Sequence, residues 1–111
     1  MKATAAQLDA AFQALGNATR RAVVEHLRRG PASVSELAEP FAMALPSFLQ
    51  HVQMLEAAGL VRSEKRGRVR TVHLRPERLA PAVQWLEEQR ALWSRRLDQL
   101  DAHVREMEKS R

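Results

Sequence analysis

Apolar and polar positions along this chain follow two periods, and the change between them divides it. Up to Gly59 the apolar residues recur at helical spacing. Leu8, Phe12 and Leu15 share one face of a first predicted helix, which a Thr4/Gln7 capping box opens and Gly16 stops. Asn17 suits the N-cap of a second, over 18–29, closed by Gly30-Pro31. Ser33 with Glu36 forms another capping box and starts a short third helix that runs to about Phe41. A fourth is predicted over about 46–58, with Pro46 in its first turn and Gly59 just past its end. Within it Phe48, Val52 and Leu55 fall at i, i+4 and i+7 and form the buried stripe. Ser47, Leu49, Gln50 and Gln53 are left facing outward.

Beyond Gly59 the period becomes that of strands. Residues 60–64 and 69–74 read as two strands around Lys65-Arg66-Gly67-Arg68, a hairpin with glycine at its tip. Pro76 and Pro81 frame a turn, and from about 81 to 108 the pattern is helical again. There Leu86, Arg90, Trp93, Leu97, Leu100, Val104 and Met107 step by alternating four and three residues, a heptad seam with Arg90 as its polar member. A helix of that length spans about 40 Å at 1.5 Å per residue, more than so small a body can cover. Part of the seam therefore calls for a partner.

Charge sharpens this outline. Residues 62–78 carry seven basic side chains and two acidic ones, a surplus equal to the net charge of +5 of the whole chain. A cationic stripe confined to the hairpin and its flank is the footprint of a polyanion ligand. Composition excludes other classes. The chain has 111 residues and is 45% hydrophobic, enough for one compact core and too much for wholesale disorder. Cysteine is absent, which excludes disulfides, thiolate metal sites and cysteine nucleophiles. No apolar run approaches the roughly 18 residues that cross a bilayer, and Met1-Lys2-Ala3-Thr4 begins no signal-peptide core, so a cytoplasmic protein is expected. The histidines (His26, His51, His73 and His103) are scattered over different elements, and no serine-hydrolase order, phosphate-binding glycine loop or HExxH accompanies them, so no enzyme is expected.

Four stretches, in order, resemble the ArsR/SmtB family of bacterial repressors: Asn17-Ala-Thr-Arg-Arg-Ala-Val-Val, Ser33-Val-Ser-Glu-Leu-Ala-Glu, Leu45-Pro-Ser-Phe-Leu-Gln-His-Val-Gln-Met-Leu-Glu-Ala-Ala-Gly-Leu-Val, and Arg66-Gly-Arg-Val-Arg. The likeness covers roughly residues 8–100. It implies a mainly α fold with a small β-hairpin: one winged helix-turn-helix domain over 1–111, with a recognition helix at about 46–58, a wing at about 60–74 and a C-terminal dimerisation helix at about 81–108. It also implies a homodimer docked on double-stranded DNA at an inverted-repeat operator, usually repressing its own or neighbouring genes. Carried over, Ser47, Leu49, Gln50 and Gln53 would meet base edges, glutamine pairing with adenine and leucine touching a thymine methyl. His51, Lys65, Arg66, Arg68 and Arg70 would meet the DNA backbone. Leu8, Phe12, Leu86, Trp93, Leu97, Leu100 and Val104 would form the dimer interface. Polar or basic residues often stand in the family where Leu49 and Gln50 stand here, which bears on the operator sequence.

Several members of that family sense metals. The thiolate pattern of its third helix is replaced here by Ser33-Val34-Ser35, and serine is a poor ligand for soft metals. Asp101-x-His103 mimics half of the zinc pattern, but the second pair of ligands would fall beyond Arg111, leaving Glu106 to complete a weak set. Residues two apart on a helix also do not face one another. No metal and no cofactor are expected; the effector, if one exists, stays open. Two other readings remain at this point: a coiled-coil adaptor that keeps the fold without reading DNA, and a zinc-responsive repressor.

Overall fold

The computed structural model describes residues 4–110. Helices α1 (Ala5–Leu15) and α2 (Ala18–Leu27) lead into a two-residue strand β1 (Ala32–Ser33) and helices α3 (Val34–Ala38) and α4 (Leu45–Ala57). Strands β2 (Val61–Arg66) and β3 (Val69–Leu74), a 3-10 turn (Pro76–Leu79) and α5 (Ala80–Lys109) complete the order. The chain divides into one compact unit ending at Pro81 and a second starting at Ala82.

Local signals account for most boundaries in the first unit. Thr4 and Gln7 form the reciprocal capping box at the head of α1. Asn17 Oδ1 accepts from the Arg20 amide at the head of α2. At α3 the box is half made: Ser33 Oγ accepts from the Glu36 amide, but the Glu36 carboxylate takes the Ser33 hydroxyl rather than its backbone N–H. Two helices stop earlier than their periodicity suggested, α2 at Leu27 and α3 at Ala38. Pro40 explains the second: it has no N–H to carry the ladder on, although Glu39 before it still holds helical angles, φ −50° and ψ −48°. Phe41 is freed to stack on Phe48, ring centroids 5.5 Å apart.

The end of α4 is a Schellman motif. Leu60 N–H donates to the Leu55 carbonyl at 3.0 Å and Gly59 N–H to the Glu56 carbonyl at 2.9 Å, with Gly59 at φ 79°. Leu55 and Leu60 are both fully buried, supplying the hydrophobic contact of the motif. A β-carbon on Gly59 would meet the Arg78 side chain at an ordinary 3.7 Å. Gly59→Ala is therefore expected to cost about 1 kcal/mol through the left-handed backbone alone, read as a lowered urea midpoint with unchanged slope; an unaltered midpoint would mean that α4 ends by other means.

The sheet order is β1-β3-β2, all antiparallel. β1 carried no sequence signal of its own; it forms because Ala32 and Ser33 pair with Val72 and Thr71. Strand β2 extends two residues past its predicted end, since Arg66 pairs with Val69 and leaves Gly67-Arg68 as the loop. Gly67 at φ 62°, followed by a residue of ordinary φ, is the arrangement of a type II′ hairpin, which matches the twist of the strands.

The core gathers Val23 and Leu27 of α2, Leu37 of α3, Phe48, Val52 and Leu55 of α4, and Leu60, Val61 and Val72. The contribution of α1 differs from expectation. Its deeply buried residues are Ala11 and Ala14, while Leu8, Phe12 and Leu15 are half-buried. Small side chains occupy the face pressed into the core, and the larger ones lie along its margin.

The second unit is α5 alone in character. Leu86, Trp93, Leu97, Leu100, Val104 and Met107 all stand exposed along it, Trp93 at 69%. A run of that size on one helix is far more apolar surface than a solitary helix keeps in water. No helix is long and apolar enough to cross a membrane among the described residues.

Candidate nucleic-acid interface

Helix α4 presents its stripe as its spacing requires. Phe48, Val52 and Leu55 are buried, so Ser47, Gln50 and Gln53 are turned outward and exposed. These short or amide-bearing side chains carry hydrogen-bond donors and acceptors without net charge, the chemistry that distinguishes base edges. Leu49 is different. It is half-buried and packs against the core, so it is less available than the other three. Leu45 and Met54, which the sequence reading passed over, are exposed on the same helix and add apolar surface there.

His51 is held from behind by Arg20. The Arg20 guanidinium is buried and donates from Nε to the Ala14 carbonyl at 2.7 Å and from Nη2 to the Gln13 carbonyl at 3.1 Å. Its Nη1 reaches His51 Nδ1 at 2.9 Å and Met54 Sδ at 3.4 Å. Those carbonyls lie at the C-terminal end of α1, where a cation is favoured by the helix dipole, and the Gln13 carbonyl also accepts from the Gly16 amide at 3.2 Å. One arginine thus ties the end of α1 to the middle of α4. Because guanidinium only donates, Nδ1 of neutral His51 is the acceptor and the ring proton sits on Nε2, ready to donate. Arg20 lay in plain view in the sequence, yet nothing in periodicity marks an arginine as buried.

A second tie joins α4 to the hairpin. Glu56 Oε1 accepts from the Ser63 amide at 3.2 Å and from its hydroxyl at 3.0 Å. Ser63 Oγ in turn accepts from Arg70 Nη1 at 2.9 Å. Neither Glu56 nor Ser63 was foreseen, because they meet only once α4 and β2 are packed. The strand register sorts the hairpin cations. Lys65 and Arg70 pair across one face, together with Ser63; Arg66 pairs with Val69 on the other, and Arg68 stands in the loop. Lys65, Arg66, Arg68 and Arg70 are all exposed, with Arg70 braced by Ser63.

Farther back the cations are occupied. Arg75 Nε pairs with Glu77 at 3.2 Å. The Glu77 carboxyl is held below the usual carboxylate range by a backbone hydrogen bond first and by Arg75 next. Arg78 lies against Gly59. On α5, Asp101 pairs with Arg105 at 3.1 Å, and no group of three or more histidine or acidic side chains stands together among the described residues.

Known proteins share this fold. The family described as a helix-turn-helix domain matches residues 15–64. The HTH-type transcriptional regulator Rv2034 of Mycobacterium tuberculosis is 43% identical over 72 residues, covering 65% of this chain and 67% of the relative. The crystal structure of the ArsR family transcriptional regulator RHA00566 is 51% identical and superposes with a TM-score of 0.80, over 85% of this chain and 97% of that one. An ArsR-like transcriptional regulator from Rhodococcus sp. RHA1 is 33% identical with a TM-score of 0.70, over 86% of this chain and 90% of its own.

Proposed function

Since the chain belongs to the ArsR family of transcriptional regulators, we propose that it acts in the cytoplasm as a homodimeric repressor and reads an inverted-repeat operator in duplex DNA. In this reading residues 1–111 work as one module. Helix α4 enters the major groove, where Ser47, Gln50 and Gln53 meet base edges and Leu49 gives a marginal apolar contact. His51, through its Nε2–H, and Lys65, Arg66, Arg68 and Arg70 hold the phosphates. The dimer takes Leu86, Trp93, Leu97, Leu100 and Val104 of α5, with Leu8 and Phe12 of α1 as a second patch.

One observation carries the reading: an uncharged polar face on α4 is tied through Glu56–Ser63–Arg70 to a hairpin of exposed cations. Base-reading and phosphate-holding groups are thereby kept in fixed relation. Such a division of labour is what sequence-specific recognition needs, since phosphate contacts set register and base contacts set sequence.

Selection from random duplex DNA tests it. An enriched inverted repeat is expected, with affinity falling steeply as salt rises. Arg66→Ala/Arg68→Ala should weaken binding to all sequences alike and lower the salt slope by about 2. Weak binding without enrichment would favour an adaptor that oligomerises through α5 and has no operator.

A further inference from the structure

A cleft of about 500 Å³ opens on the first unit between the end of α2 and the root of the hairpin. Its wall includes Arg28 and Arg29 from the end of α2, Arg62 from β2, His73 from β3, and Pro31 and Pro76 as apolar surface. No carboxylate lines it. Arg29 and Arg62 enter no ion pair among the described residues, and Arg28 contacts only the Glu25 carbonyl, at 3.3 Å, within its own turn. His73 Nε2 is buried and lacks a hydrogen-bond partner, with the nearest carboxylate, that of Glu64, 3.5 Å away. Three arginines and a histidine from the end of α2 and the hairpin thus line one concavity whose wall holds no carboxylate. Like charges gathered in this way raise the energy of the empty site and favour an anion within it.

The hairpin's polar share of the wall, Arg62 and His73, lies on the sheet face away from α4, with Leu27 and Leu74 at the floor. Arg62 pairs with His73, so their side chains leave the sheet on one face. The neighbouring pairs, Val61 with Leu74 and Ser63 with Val72, use the other face, where Val61 and Val72 join Phe48, Val52 and Leu55 in the core. The hairpin loop lies five residues beyond Arg62, about 16 Å along the strand. Arg66 shares this face but lies four residues from Arg62, about 13 Å along the strand, so a duplex held on the outer face of α4 and at residues 66–68 leaves the cleft open. The concavity is open to solvent and wide enough to admit a small anion.

The geometry points to an effector site at Arg28, Arg29, Arg62 and His73 for a small phosphorylated organic anion, whose phosphate the arginines grasp while its organic part lies on Pro31 and Pro76. The site deepens the regulatory reading by supplying a ligand at the root of the wing, but binding itself does not depend on that reading. Inorganic pyrophosphate serves as the probe of the anion-holding end. Titrated into the intact protein and followed by amide NMR, it should shift the signals of Arg29, Gly30, Arg62 and His73 together along one saturable curve. Arg28→Gln/Arg29→Gln, at exposed positions outside core and wing, should weaken that curve at least about tenfold while leaving duplex affinity unchanged. Shifts centred on Arg66–Arg68, or a curve indifferent to the double substitution, would overturn the site. A double variant that instead loses duplex affinity, with the salt slope reduced by about 2, would reassign these arginines to DNA phosphates and overturn it as well. Saturable pyrophosphate binding in a protein that binds no duplex would leave the site standing and remove the proposed function.

Discussion

Replacing Arg20 with alanine should lower the unfolding free energy by about 3 kcal/mol, the largest loss of stability expected from any polar residue of this chain. The change removes the donor to the Ala14 carbonyl and to His51 Nδ1, takes one of two donors from the Gln13 carbonyl, which keeps the Gly16 amide, and leaves a void where the guanidinium lay. Each unsatisfied buried polar group costs about 1–3 kcal/mol. Arg20→Lys should restore little, since a single ammonium cannot serve partners that lie on two helices in different directions. Chemical denaturation at fixed protein concentration measures the effect, because self-association would otherwise shift the midpoint. A loss under about 0.5 kcal/mol would show that the α1–α4 tie is incidental. The same variants should weaken duplex binding further than their residual folded fraction explains, because His51 would lose the bond that sets its tautomer.

Leu97→Glu/Leu100→Glu is expected to turn the proposed dimer into a monomer. Each leucine is more than half exposed in the single chain, and burying one fully contributes about 2 kcal/mol. Two-fold symmetry counts every substitution twice, and the new carboxylates would face each other across the seam. A weakening of self-association by at least about a thousandfold follows, on the order of 4 kcal/mol. Sedimentation would read it directly, and affinity for a full inverted repeat should fall toward that for a half-site. The first unit supplies the control: its cooperative unfolding should persist, since none of its buried residues has been touched. A variant that still sediments as a dimer would move the interface away from the heptad seam.

Much of this protein was legible from local chemistry. Helix starts at Thr4, Asn17 and Ser33 obey side-chain-to-backbone capping within three residues, and the end of α4 is written in Gly59. The stripe Phe48–Val52–Leu55 and the turn at Gly67 are equally local, because periodicity and backbone freedom act over a few bonds. The charge surplus of 62–78 and the heptad seam of α5 also needed no coordinates, being sums along the chain.

What the tertiary structure decided is everything that depends on residues distant in sequence. β1 exists because β3 lies beside it, and the hairpin cations are sorted by a ladder register that no single strand contains. Arg20 is buried because the carbonyls of α1 and the imidazole of α4 arrive on either side of it, 6 and 31 residues away. Glu56 turns from an ordinary helix-surface acid into a brace for the wing once Ser63 comes within 3.0 Å. The arginine cleft likewise joins the end of α2 to the root of the hairpin, more than thirty residues on. Backbone preferences are short-ranged, so they show in sequence; partners for buried polar groups are chosen only when elements pack, so they do not.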